Sequence, residues 1–438
     1  MNKMIKTIKP FIILLIFNFN YSQQYDLVVK NGFLIDAKNN INKTMDIAIK
    51  EGKIASVERK IDASLAKKVI DAKGLVVTPG LIDIHTHNFY GTKPNSAYSN
   101  GFNSLPPDGF TFRAGVTTVV DCGGAGWRNF ITFKEQVIDR SKTRVLALIN
   151  IVGRGMSGNP NEQDISDMDP KLTSMMADQF KEHIVGVKLA HFLGYNWKPT
   201  ELAVEAGEMS KIPVVIDFGA SDPVLPLNTL LNEKLRPGDI YTHCYSDVKG
   251  RTAILDENGK VRDYVFEAQK RGVVMDVGHG AGSFYFHQAI PAVRQGLKPN
   301  SISTDLHIFS MNGGAKNMTN VMSKFLNMDM TLEEVIEAST WKPAQYIQRT
   351  ELGHLSVGAI ADLSILKIHQ GNFGFLSAGR NIPDLAIRRE IPRLFKATVF
   401  PPVLGPVIET TLVSLLISKS IGEGNALFSF FCCQISSG

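Results

Sequence analysis

Cysteine is scarce, four residues in 438, so no disulfide framework holds this chain together. Cys122 and Cys244 sit inside apolar runs and read as small buried hydrophobes. The adjacent Cys432 and Cys433 are poorly placed to pair with each other. A surplus of one charge sign is also missing. The formal net charge is +5, and it falls to about +2 without Lys3, Lys6 and Lys9 of the N-terminal leader, which leaves no electrostatic case for nucleic acid. Glycine and proline, 37 and 20 residues, are at ordinary usage, which argues against low-complexity disorder. No clean apolar run reaches the roughly 20 residues of a spanning helix. Residues 11–19 are too short, and Glu409, Thr410, Thr411 and Ser414 interrupt the apolar tail, so no stable membrane span is expected.

A lysine-bearing start, the apolar run at residues 11–19 and a small residue, Ser22, at the cut together read as a signal peptide over residues 1–22. The expectation is export to the periplasm or beyond. No cysteine stands at the cut, so lipid attachment is not expected there. At 44% hydrophobic residues, the chain can bury one large domain and a smaller one.

From Tyr25 to Lys73 short runs alternate apolar and polar residues, punctuated by Asn31-Gly32 and Glu51-Gly52, the grammar of a small antiparallel sheet. After Leu75 the strands become continuously apolar and are separated by helix-length segments, the pattern of parallel strands covered by helices. Eight such strands end near His87, Gly123, Val152, Ala190, Gly219, Cys244, Gly278 and Asp305. Helices fit residues 200–211, 262–271 and 288–295, and Thr331-Leu-Glu-Glu334 opens another with a capping box. The fold class is therefore α/β: a (β/α)8 TIM barrel over residues 76–350. A small β-sandwich domain is built from residues 23–75 and the post-barrel segment 351–375. Residues 376–438 lose both strand and helix period, and this tail, a candidate for an aberrant end, has no structural reading.

Strand one ends Gly80-Leu-Ile-Asp-Ile-His85-Thr-His87. Its two imidazoles at i and i+2 share a face, and at the C-terminal mouth of a barrel strand they are placed to bind a metal. Alone this HxH pair is a weak signal. Later strands add to it: Lys188 in an otherwise apolar strand four, His243 ending strand six, His279 between glycines after strand seven, and Asp305 ending strand eight. Lys188 has a plain reading as an ammonium reaching the rim and a sharper one as an amine kept neutral by burial, able to take up carbon dioxide as a bridging carbamate.

This order of HxH, Lys, His and Asp resembles the amidohydrolase superfamily. The phrases Gly-Val-Lys188, Arg236-Pro-Gly-Asp-Ile-Tyr-Thr-His243, Asp276-Val-Gly-His279-Gly-Ala-Gly-Ser-Phe and Ser303-Thr-Asp305-Leu-His are similar to its deacetylase, dihydroorotase-like branch, over about Tyr25 to Phe375. The resemblance implies two divalent metal ions, zinc being the first choice. One is held by His85, His87 and Asp305, the other by His243 and a strand-five residue, with N-carboxylated Lys188 between them. One position departs from the pattern: Asp217 stands on strand five where an imidazole is usual. A carboxylate still binds zinc, and the alternatives are that His279 moves in or that the second site is weak.

Two metals lower the pKa of a shared water towards about 7 and polarise a carbonyl. Asp305 then shuttles the proton, and His279 hydrogen-bonds the substrate or oxyanion. Arg154, Met311 and Asn312 are loop candidates for substrate contact, and all three also read as ordinary loop residues. The expected activity is metal-dependent hydrolysis of an N-acyl amide or O-acetyl ester of a small molecule. The alternatives are opening of a cyclic amide, as in dihydroorotases and hydantoinases, and an exported binding protein on the same barrel without catalysis. The oligomeric state is left open, a homo-oligomer included.

Overall fold

Buried aliphatic strands and polar-faced strands divide the structure into two sheets. The computed structural model describes residues 23–94, 96–217, 219–371, 373–377 and, as backbone alone, 393–400. The leader and the greater part of the tail lie outside the described residues.

The first sheet comprises β1 (Tyr25–Asp36), β2 (Ile41–Lys50), β3 (Lys53–Glu58), β4 (Ala66–Asp71), β5 (Val76–Pro79), β13 (Leu363–Gln370) and β14 (Arg393–Phe400), the numbers running in chain order through the barrel. Glu51-Gly52 makes the expected hairpin turn between β2 and β3, both residues at positive φ. Asn31-Gly32 does not turn the chain. It forms a bulge inside β1, where Gly32 passes so close to β5 that a Cβ would lie 2.4 Å from Val77 Cγ2. Asp46 closes the bulge by accepting from the Asn31 amide at 2.8 Å and from Lys30 Nζ at 2.7 Å. Two findings differ from the sequence expectation. Among the described residues these strands form one seven-stranded mixed sheet, in the order β14-β13-β5-β1-β2-β3 with β4 beside β1, not a resolved two-sheet sandwich. The segment also continues beyond residue 375: β14 pairs antiparallel with the whole of β13, from Leu363↔Phe400 to Gln370↔Arg393.

The second sheet is parallel throughout: β6 (Leu81–Thr86), β7 (Val116–Gly126), β8 (Arg144–Asn150), β9 (Ile184–Leu189), β10 (Val214–Ile216), β11 (Ile240–Tyr241) and β12 (Val274–Met275). Nearly every residue of these strands is buried, as parallel strands with both faces covered require. Ile82, Ile84, Val120, Cys122, Leu146, Leu148, Val185, Val215, Ile240 and Val274 meet inside the ring. Their neighbours, such as Leu81, Val119, Val145, Ile149 and Val214, pack outwards in the larger cluster that holds the helices.

The eighth strand is not a ladder. Residues 301–306 close the ring through parallel bridges Asp276↔Ser301 and Thr86↔Leu306, with Val277, His279 and Gly280 amides donating to the carbonyls of Ser301, Ser303 and Thr304, and His87 N donating to Leu306 O. The Asp83 carboxylate takes the Thr304 amide at 3.1 Å and its hydroxyl at 2.6 Å. A side chain thus replaces a strand-to-strand bond there. Among the expected helices, Lys198–Ser210, Asp263–Arg271 and Phe286–Arg294 are present, and Leu332–Glu337 carries the Thr331/Glu334 capping box. Among the described residues no helix is long and apolar enough to cross a membrane.

Candidate metal centre

Strict alternation along β6 would aim His85 and His87 away from the face that Ile82 and Ile84 occupy. A register irregularity between Asp83 and Thr86 shifts the phase, so the isoleucines fill the ring floor and both imidazoles still turn inward at its mouth. A second irregularity, between β8 and β9, does the same for Lys188. Val185 lies in the inner cluster and Val187 in the outer one, and beyond the slip Lys188 faces inward. Its stem lies against Gly123, where a Cβ would come within 2.6 Å of Lys188 Cγ.

His85, His87 and Asp305 offer donor atoms that all lie within 4.8 Å of one another, and all three residues are buried. Asp305 Oδ1 is 2.9 Å from His87 Nε2 and 3.6 Å from His85 Nε2. The His85 ring is oriented from behind. Its Nδ1 lies 2.9 Å from Thr242 Oγ1, and that hydroxyl donates to Asp276 Oδ2 at 2.7 Å. The network therefore puts the His85 proton on Nδ1 and leaves the Nε2 lone pair facing Asp305, the arrangement a metal-binding imidazole needs. Ser303 Oγ holds Asp276 from the other side at 2.8 Å. Burial, then the nearby Lys188 amine, lowers the His85 pKa to about 3. Burial opposes the charge on Asp305, but His307, His85 and His87 outweigh it and keep the carboxylate ionised. These donors fit a divalent cation: two imidazole nitrogens, that of His85 with its tautomer fixed from behind, converge on one anionic carboxylate.

The second expected group is arranged differently. His243 Nδ1 donates to Gly278 O at 2.5 Å, which leaves Nε2 3.6 Å from Asp217 Oδ2. A third imidazole, His191, approaches the same oxygen at 3.5 Å, and its Nδ1 is held by the buried Glu162 at 2.7 Å. On the far side of the carboxylate, Arg251 Nη2 lies 2.5 Å from Asp217 Oδ1, an ion pair by distance without the angles of a good hydrogen bond. Burial would raise the Asp217 pKa; Arg251 and then His243 overcome it and hold the carboxyl well below the usual range. Lys188 is fully buried, and among the described residues its Nζ has no hydrogen-bond partner.

The structure corrects the expectation for His279. Its ring is buried and stacked on Phe284 at 4.5 Å; Nδ1 donates to Gly280 O at 2.9 Å, and Nε2 accepts from Lys324 Nζ at 2.5 Å. Both nitrogens are engaged by the protein, so neither is presented to a substrate or to a metal. The expected loop contacts are not drawn to the centre either. Arg154 and Asn312 are exposed and Met311 half-buried, Asn312 Nδ2 donates to Ile308 O at 2.9 Å, and no hydrogen bond or ion pair among the described residues links these side chains to the histidines.

Other residues at the mouth were not singled out from the sequence. Tyr98 rests on the His87 ring at 4.4 Å and on His307 at 5.4 Å, and burial followed by Asp305 raises its pKa so that the phenol stays a neutral donor. His307 Nδ1 accepts the Phe309 amide, which leaves Nε2 3.8 Å from Asp305 Oδ2. Burial lowers its pKa to about 4, with Asp305 opposing.

Comparison with known proteins places this geometry. Residues 285–398 match the model of the Amidohydrolase family. A deacetylase of Brucella anthropi is 34% identical over 333 residues, covering 74% of this chain and 80% of that protein. Among solved structures, an adenine deaminase superposes with a TM-score of 0.74 at 30% identity, covering 86% of this chain and all of that one. A dihydroorotase gives 0.73 at 30% identity, over 85% and 97%.

Proposed function

The chain belongs to the amidohydrolase family, and on that premise we propose that it is a metal-dependent deacylase, hydrolysing an N-acyl amide or O-acetyl ester of a small acid. The observation that carries the reading is the convergence of His85, His87 and Asp305 donors in the buried mouth. The similarity to a deacetylase over most of both chains supports the acyl substrate class. Zinc is the first choice of ion, although manganese, iron and cobalt suit the same donors. When bound, such an ion acidifies water and polarises a carbonyl.

The protein's own groups divide the remaining work. Asp305 Oδ1 faces His85 and His87, while Oδ2 points to His307, so one oxygen serves as ligand and the other is free to hold a proton. His307 is neutral at pH 7; with Nδ1 accepting the Phe309 amide, its Nε2–H is a donor towards that proton site. Tyr98 closes the mouth above His87 and offers its hydroxyl to a developing oxyanion. Lys188, an inward amine with no hydrogen-bond partner among the described residues, supports the carbamate reading: its nitrogen bonds to the carbon of carbon dioxide, loses a proton to water and becomes an anionic ligand.

The similarity to a dihydroorotase favours a second reading, opening of a cyclic amide. A panel of N-acetyl amino acids, O-acetyl hydroxy acids, dihydroorotate and hydantoins, assayed on protein purified without chelators, separates the two. Turnover of the acyl compounds is expected. Turnover confined to the cyclic amides replaces the first reading with the second, and turnover of neither class removes both. The leader supports export of the mature enzyme, which N-terminal sequencing of the secreted protein tests.

A further inference from the structure

Asp217 occupies the corner where a second metal ion would need an uncommitted ligand, and that carboxylate is already taken. Arg251 meets its Oδ1 at 2.5 Å, and Arg251 Nε donates to Gly219 O at 2.8 Å, which anchors the guanidinium from two sides. The Arg251 side chain is only 12% exposed. A guanidinium keeps its charge at any physiological pH, so the corner holds a fixed cation. A divalent ion bound at Asp217 would have to share one carboxylate with it in a buried place, where like charges repel strongly.

The neighbouring imidazoles do not make up the deficit. His191 Nε2 and His243 Nε2 both face Asp217 Oδ2, yet among the described residues only His85, His87 and Asp305 bring three donors within 4.8 Å of one another. His191 is also held by Glu162 through Nδ1 at 2.7 Å, so its ring is already committed between two carboxylates.

We infer that this enzyme holds one divalent ion, at His85, His87 and Asp305, and that Arg251 paired with Asp217 supplies the positive charge a second ion would otherwise bring. The inference rests on the metal-dependent reading above and narrows it. It also gives the departure on strand five a partner: an aspartate in place of an imidazole suits a guanidinium better than an imidazole would.

Zinc stoichiometry tests it without recourse to activity. Mature protein is dialysed against 10 µM zinc with bicarbonate, at roughly the ligand excess that saturates a tight site, and zinc per chain is read by mass spectrometry. The wild type is expected to hold one zinc, and Arg251→Met, with its circular dichroism unchanged, to hold two. Should Arg251→Met not fold, Asp217→Asn decides: a count that stays at one supports the inference, and a fall from two to one refutes it. Two zinc ions in the wild type, or one in a folded Arg251→Met, overturn it while leaving the metal-dependent reading intact. No zinc in the wild type overturns both.

Discussion

A single methyl group added at Gly278 should disable the centre without replacing a ligand. Gly278 has φ +45°, and a Cβ there would lie 2.4 Å from Thr242 Oγ1, 2.7 Å from His243 Nδ1 and 3.0 Å from His85 Nδ1. The left-handed backbone alone costs an L-residue roughly 1–2 kcal/mol. The contact with Thr242 is about 1 Å shorter than ordinary van der Waals approach, so Thr242 must retreat by about that much. Thr242 links the His85 ring to Asp276, and Gly278 O holds His243, so both imidazoles move with it. Metal ligands tolerate about 0.2 Å, and a 1 Å misplacement costs about 10²-fold in rate. Gly278→Ala is therefore expected to lower Tm by roughly 2–6 °C in chelator, to lose most of the Tm rise that zinc gives the wild type, and to lower kcat/KM by about 10²-fold or more. Calorimetry with and without zinc, beside steady-state kinetics, reads all three. A variant that keeps the full zinc-induced rise and stays within about threefold of wild-type kcat/KM, a difference under 1 kcal/mol, would show that the glycine is not what keeps the ligands in place.

Three further outcomes are expected. Bicarbonate should raise the Tm of the wild type but not that of Lys188→Met, because the methionine has no amine to carboxylate; equal rises would refute a role for the lysine. The folded His307 pKa of about 4 lies below the unfolded value of about 6.5, so the unfolded state binds the extra proton between those values. The stability His307 allows is present above pH 6.5 and is lost as pH falls towards 4. His307→Asn should flatten the acid side of the stability curve by up to about 1.4 kcal/mol per pH unit in chelator, as urea melts at several pH values would show, and an unchanged slope would count against it. Lys324→Met leaves Gly314 O, Leu376 O and His279 Nε2 without the buried amine that serves all three. A destabilisation of about 2–4 kcal/mol is expected, together with faster proteolysis around residue 314; a loss under about 0.5 kcal/mol would place the variant among ordinary surface changes.

The periodicity of apolar runs was enough to read the parallel strands of the barrel and the end of the first near His87, because burial on both faces leaves a continuous hydrophobic signature. Period alone does not carry the two phase slips, in β6 and β9, that let isoleucines and histidines share one interior. Each arises from one extra residue in pairing with a neighbour far along the chain. The same limit hid His191 and Arg251. His191 looks like a lone loop histidine until Glu162 and Asp217 are seen on either side of it, and Arg251 lies beyond β11, far from Asp217 in sequence, so that only the fold brings the two together. His279 misled for the opposite reason. Its glycine-flanked position suits a ligand contact, but Lys324, on the helix Met318–Leu326, reaches in and occupies the ring. In the tail, the alternation from Arg393 to Phe400 was obscured by the apolar residues that follow it, and it acquires meaning only as the partner of β13.

Three residues of the mouth, His191, His243 and Asp305, sit in left-handed backbone at φ +56°, +57° and +48°. This is unfavourable by about 1–2 kcal/mol for a residue with a Cβ, less for Asp305, whose short polar side chain tolerates it, so together they hold back a few kcal/mol from a net stability that in most proteins is only about 5–15. Loss of function would therefore be a stabilising path for this chain. A descendant freed from catalysis would be expected to relax these three positions, to glycine or asparagine, while its barrel core was still intact. The backbone at these three points would record the loss of activity earlier than the hydrophobic interior does.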